Sequence, residues 1–317
     1  MNSKQNILGL CLRYVFALLG LCLWLWGLPL LVGSYAHYEG DYLLGARIKQ
    51  KRLADTQGDT KKRLVLLGCS NLAFGVDSKY LEEQTGLRVV NMGLHQDLGQ
   101  DYMLNESLAY LQKGDLVLIV WSYGSWRGQW QTKTQLALAY PEAERFMREE
   151  LSDLGAYQTQ KLQRALQISF DKLVFIKTKP KIYGLHAFDS LGDVVIHQNM
   201  SPKAFEPLRL EWGSEGQESI LCKQQSSLQE FCKEVQALGA HVYMLAPALA
   251  QSSYEDNQEL IEAIWQNYQT ISNIRLCGSP QDFVYPDAAF FDTPSHLQYK
   301  NRRIHSLKLL KIAGILR

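Results

Sequence analysis

Apolar and polar positions alternate along this chain in blocks. Five short apolar runs stand out: 64–68 (LVLLG), 87–93 (LRVVNMG), 115–122 (DLVLIVWS), 241–247 (HVYMLAP) and a shorter one at 274–277. Continuous apolar character over so few residues, bounded by Gly, Pro or charge, is the pattern of a strand buried on both faces. Between the runs lie stretches with helical spacing: Ser78 to Thr85, Asp101 to Leu111, Glu218 to Leu238 and Asp256 to Thr270. Strands alternating with helices predict βαβ units and a mainly parallel, five-stranded sheet in an α/β fold.

The N-terminus has a different pattern. From Tyr14 to Tyr38 there is no Asp, Glu, Lys or Arg, a run able to cross the roughly 30 Å hydrocarbon core as one helix. The rival is a cleaved leader, for which Ser34-Tyr35-Ala36 offers small residues at the two cleavage positions, but the run exceeds the usual 7–15 apolar residues of a leader. Residues 1–38 are therefore read as a membrane anchor. Lys4 and Arg13 precede the span, and the long domain that follows translocates largely regardless of Arg47, Lys49, Lys51 and Arg52, so the bulk of the chain is expected outside the cytoplasm. Residues 39–63 mix both charges, the pattern of a solvated stalk. The domain is expected over 64–317.

Between the third and fourth runs, 124–216 holds no further run of that kind and a helix is expected over Glu142 to Leu154. An insertion of this size predicts a helical cap over the carboxyl ends of the strands, where open α/β sheets bind ligands.

Composition narrows the function classes. The 317 residues carry 33 Lys and Arg against 32 Asp and Glu, a net charge of +1, which argues against a nucleic-acid partner. Six cysteines without CxxC spacing supply neither a disulfide framework nor a zinc site, and Cys222 and Cys232 are too far apart on one continuous helix to bridge.

Two places carry candidate chemistry. The first run ends Leu67-Gly68-Cys69-Ser70-Asn71, putting a hydroxyl at a strand's carboxyl end, where a nucleophile belongs; the bland alternative is that Ser70 caps the next helix. Near the C-terminus, Asp292 and His296 fall within one turn of each other in Phe291-Asp292-Thr293-Pro294-Ser295-His296-Leu297. A serine needs a base and a histidine needs an orienting acceptor, roles His296 and Asp292 fill if that loop reaches Ser70. The alternative is a Thr293-Pro294 turn with His296 held by a backbone carbonyl.

GCSN after the first run, the Gly in NMG after the second and DTPSHL near the end together resemble the SGNH/GDSL hydrolase superfamily. The nearest branch is the membrane-anchored, extracytoplasmic one that includes proteins of polysaccharide O-acetylation and teichoic-acid D-alanylation. The resemblance implies a flavodoxin-like three-layer domain, Ser70 as nucleophile, His296 as general base, Asp292 as its orienter, and the N–H groups of Ser70 and Gly93 as oxyanion donors. Phe188-Asp189-Ser190-Leu191-Gly192-Asp193 also resembles a Gly-Asp signature of the insertion in such proteins. Two departures stand out: the third run ends Trp121-Ser122-Tyr123-Gly124 where the family carries an oxyanion-hole Asn, and Asp292 lies four rather than three residues before the histidine. Ser122 or Tyr123 is a substitute for the missing donor.

Other residues read more simply. Cys69 neighbours Ser70 but points to the opposite face of a strand, and is expected to pack. Asn71 is expected to shape the turn. His95 and Asp97 lack a third ligand for a metal. Trp121, Trp126 and Trp130 suit packing or sugar stacking at the pocket mouth. The expectation is thus a serine-dependent acyl, here acetyl, esterase or transferase acting on a cell-envelope polysaccharide without cofactor or metal. Its rivals are a catalytically inactive accessory protein that binds a glycan or a membrane-bound acyltransferase partner, and a peptidase or lipase on the same fold.

Overall fold

The computed structural model describes residues 3–23, 27, 42–124, 128–147, 154–173, 183–210 and 217–316. Five strands form one all-parallel sheet: β1 (Arg63–Gly68), β2 (Arg88–Asn91), β3 (Leu116–Val120), β4 (His241–Met244) and β6 (Ile274–Leu276), in the order β2-β1-β3-β4-β6. β5 (Leu249–Ala250) and β7 (Val284–Tyr285) make a separate parallel pair. β1 and β3 are in register from Leu64 opposite Leu116 to Gly68 opposite Val120, and every residue of β1 is buried. Strand order reverses at β1, which has β2 on one side and β3 on the other, so the crevice beyond its carboxyl end is the doubly wound sheet's topological switch point.

Helices cover both faces, as a sheet of buried strands requires. The short α3 (Ser70–Gly75), α4 (Ser78–Thr85) and C-terminal α11 (Arg302–Ala313) pack together, while α5 (Gln100–Leu108), α8 (Gln217–Ala237) and α10 (Gln258–Tyr268) pack on one another and on β1 and β4. The remaining helices are α1 (Ser3–Cys22), α2 (Gly45–Asp55), α6 (Trp130–Ala139), α7 (Leu154–Leu173) and α9 (Gln251–Glu255). The expected strands and the four expected helices are all present, with ends shifted by a few residues. α4 matches its expected span because Asp77 caps it, accepting from Tyr80 N–H, and Gly86 ends it with φ 69°.

Three expectations need correction or restriction. Segment 39–63 is no stalk where it is described: α2 buries Ala46, Lys49, Gln50 and Leu53 against the domain. Several of its polar and charged side chains are used internally, Arg47 donating to Ala139 O, Gln50 to Glu106 and Arg52 to Val89 O and Glu82. Of the helix expected over Glu142 to Leu154, the part up to Phe146 is instead a 3-10 stretch, Pro141–Phe146, because Pro141 opens a tight turn that Tyr140 and Ala143 close, and 148–153 lie outside the described residues. Most of the Tyr14–Tyr38 span lies outside the described residues, and among those described no helix is long and apolar enough to cross a membrane.

Candidate active site

β1 delivers Ser70 to the switch point. Gly68 lets the chain turn there: a Cβ on it would lie 2.3 Å from Val120 O and 2.7 Å from Leu72 Cδ1. Cys69 is then the N-cap of α3 and Ser70 its first residue, so the Ser70 hydroxyl is not spent on capping. Asn71 shapes the turn as expected. Its Oδ1 accepts from Cys69 N–H at 3.1 Å and its Nδ2 donates to Val120 O at 3.1 Å, tying the ends of β1 and β3 together.

The C-terminal loop brings the other two groups. Phe291 N–H donates to His296 O at 2.7 Å and Phe290 bridges Leu297, closing a narrow loop whose tip is Asp292 to Ser295. Thr293 Oγ1 accepts from His296 N–H at 3.1 Å. That turn carries Asp292 round to the ring despite the longer spacing: His296 Nδ1–H donates to Asp292 Oδ1 at 2.9 Å, and Ser70 Oγ–H donates to His296 Nε2 at 2.8 Å. A side-chain carboxylate, not a backbone carbonyl, orients the imidazole. The ring also stacks flat on buried Phe74, 4.0 Å between centroids and 4° between planes. Phe74 comes from α3, four residues after Ser70, so Ser70 and His296 are registered by one short helix. The side chains of His296 and Asp292 are 12% and 11% exposed, enough for a substrate to reach them.

Gly93 lies beside this relay for a steric reason. A Cβ there would come within 2.6 Å of Cys69 O and 2.9 Å of Ala73 N, so only glycine lets β2's exit press against the start of α3. Its role as an oxyanion donor needs correction in this state, because Gly93 N–H already donates to Asn91 Oδ1 at 2.9 Å. Ser122 is not an open substitute donor either, since its Oγ donates to Asn71 Oδ1 at 3.2 Å. Tyr123 turns away into a small cavity beyond β3 and β4, lined also by Trp121, Met244, Ile264 and Tyr268.

The Gly192-Asp193 pair is a structural hub that its sequence signal only hinted at. Buried Asp193 accepts from Ser78 N–H (2.7 Å), Ser78 Oγ (2.6 Å), Asn91 Nδ2 (2.8 Å) and Arg302 (2.7 Å). Burial pushes its carboxyl up, while the Arg302 guanidinium and the Ser78 donors pull it down. Val194 N–H donates to Ala73 O at 2.8 Å, so this loop braces the nucleophile's helix. Lys49 completes the brace by donating to Asn91 O at 3.0 Å and Gly192 O at 2.6 Å, and burial lowers its ammonium to about 7.

The remaining candidates resolve as packing. Cys69 is fully buried, and Cys222 and Cys232 are free thiols on continuous α8. His95 Nδ1 accepts from Asp97 N–H, a local turn, and no group of three metal-ligating side chains occurs among the described residues. Trp121 is buried, Trp130 packs on Tyr157 at 5.8 Å, and Trp126 lies outside the described residues. Phe74 and Asn91 were invisible as site residues in the sequence, since an isolated Phe or Asn carries no motif. No protein-family model matches the chain, and no curated protein is significantly similar to it in sequence.

Proposed function

We propose that this protein is a serine-dependent acyl esterase or acyltransferase of the SGNH type, acting on acetyl esters of a cell-envelope polysaccharide. The observation that carries the reading is the pair of hydrogen bonds joining Ser70 to His296 and His296 to Asp292. In the first step Ser70 Oγ bonds to the acyl carbonyl carbon, its proton passes to His296 Nε2, and the carbonyl π electrons move to oxygen. Asp292 stabilises the imidazolium. The oxyanion then collapses, the bond to the sugar oxygen breaks, and His296 returns the proton to that leaving oxygen. Water repeats the sequence in hydrolysis, and a sugar hydroxyl does so in transfer. The chain needs no cofactor for either course.

The cellular setting follows from the N-terminus. Residues 11–23 are exposed on every side, and Leu12, Phe16, Leu18 and Leu21 with them, a surface suited to lipid rather than water. The uncharged run continues to Tyr38. This favours an anchor with the domain on the extracytoplasmic face, and protease added to intact cells or spheroplasts should digest the domain. A domain protected until lysis would overturn that topology.

The catalytic reading is tested with a small acetyl ester: wild type turns it over and Ser70→Ala does not. The occupied Gly93 N–H and the missing third-strand Asn favour a second reading, an inactive accessory protein binding a glycan or a membrane acyltransferase. Absence of any Ser70-dependent turnover would select it.

A further inference from the structure

The donors around Ser70 can be counted. Ser70 N–H, in the first turn of α3, has no intrahelical partner and is available. Gly93 N–H is held by Asn91 and Ser122 Oγ by Asn71, while the Tyr123 hydroxyl and Trp121 Nε1, also buried without a partner among the described residues, belong to side chains that line the cavity beyond β3 and β4. One donor is short of what acyl transfer ordinarily uses to stabilise its oxyanion.

Tyr42 stands at the start of the described segment that follows the N-terminal span, in the 3-10 turn Tyr42–Leu44. A chain of ring contacts leads from it to the base. Tyr42 meets Phe188 at 4.9 Å and Tyr183 at 6.1 Å, Tyr183 meets Phe74 at 5.6 Å, and Phe74 carries His296 at 4.0 Å. On its other side Tyr42 meets His95, two residues past Gly93, at 6.3 Å. Its hydroxyl is buried and has no hydrogen-bond partner among the described residues. Such a group destabilises a fold unless something uses it. After burial itself, the charges of Cys69 and Asp292 push the Tyr42 phenol up. The phenol therefore stays protonated, as a donor must.

We propose that the Tyr42 hydroxyl donates to the oxyanion formed on Ser70, so that the turn Tyr42–Leu44 completes the active site. This rests on the serine reading above and deepens it.

The test uses the full-length chain, comparing wild type, Tyr42→Phe and Tyr183→Phe, the last because Tyr183 also has a buried hydroxyl without a partner among the described residues. For Tyr42→Phe, kcat on a small acetyl ester should fall about 10- to 1,000-fold with KM nearly unchanged. Fluorophosphonate labelling of Ser70 should slow in parallel, because the phosphonyl oxygen occupies the same place. The melting temperature should hold or rise, and the acid limb of the pH profile should stay where it is, neither of which a displaced His296 would allow. Tyr183→Phe should stay close to wild type. If wild type labels and Tyr42→Phe labels equally fast, the Tyr42 role is overturned and the serine reading stands. If the loss follows Tyr183→Phe instead, the donor is misassigned. A wild type that neither labels nor turns over ester overturns both.

Discussion

At the amino end of the sheet Arg63 and Asp115 are buried from solvent and meet through hydrogen bonds of 2.6 and 2.9 Å, with Leu53 O and Tyr110 O taking further guanidinium protons. At the carboxyl end Ser70, His296 and Asp292 meet through bonds of similar length, yet their side chains stay partly exposed. The same strands, β1 and β3, run from one arrangement to the other. Polar groups at the amino end are satisfied within the fold and hold it together. Those at the carboxyl end keep capacity in reserve for a substrate, at some cost in stability.

That contrast breaks most visibly at Ser70. Ser70→Ala should reduce ester turnover about 10⁴-fold or more while leaving the melting temperature within a few degrees, measured by steady-state kinetics and calorimetry. Asp292→Asn should lower kcat about 10³-fold, because the amide cannot stabilise the imidazolium and favours the wrong tautomer. At the other end the outcome reverses. Arg63→Ala should cost about 3–5 kcal/mol in denaturant unfolding, since it strands the Asp115 carboxylate in the core, with activity per folded molecule unchanged. Equal activity losses from Arg63→Ala and Ser70→Ala, corrected for folded fraction, would erase the distinction.

Lys49 gives a smaller, pH-dependent effect. Burial lowers its ammonium from the ordinary 10.5 to about 7, opposed by the charges of Asp193, Asp189 and Glu106. Between those values the unfolded chain binds a proton that the folded one does not, so the Lys49 contribution to stability is full near pH 10 and lost as pH falls toward 7. Unfolding free energy should rise across that window in wild type and flatten in Lys49→Met. A slope that survives the substitution would assign the effect to another group. Smallest of all, Ser122→Ala should change kcat only a few-fold, because its hydroxyl bonds Asn71 rather than facing the reacting atoms.

Much of the sheet was legible because β1, β3 and their neighbours are buried on both faces and so read as unbroken apolar runs. The meeting of Ser70 and His296 was legible because a hydroxyl at a strand end and a histidine in a late loop both left short motifs. Segment 42–63 was misread for a physical reason: Lys49, Arg52 and Arg63 look solvated in a sequence, and only tertiary contacts reveal carbonyls and carboxylates waiting for them. Asp193 shows the same limit from the other side. Its Gly-Asp motif was visible, but not that four donors from α4, β2 and α11 converge on it. Gly93 was found by motif while its engaged N–H was not, since that depends on the rotamer of Asn91.

The central claim is that Ser70 is an activated nucleophile, and active-site labelling asks this without presuming a substrate. The full-length protein is treated with a fluorophosphonate at neutral pH, and the adduct is located by peptide mass spectrometry. The account predicts one adduct, on Ser70, absent in Ser70→Ala and strongly slowed in His296→Ala. An intact wild-type protein that takes up no label, or takes it up on a residue other than Ser70, would contradict it.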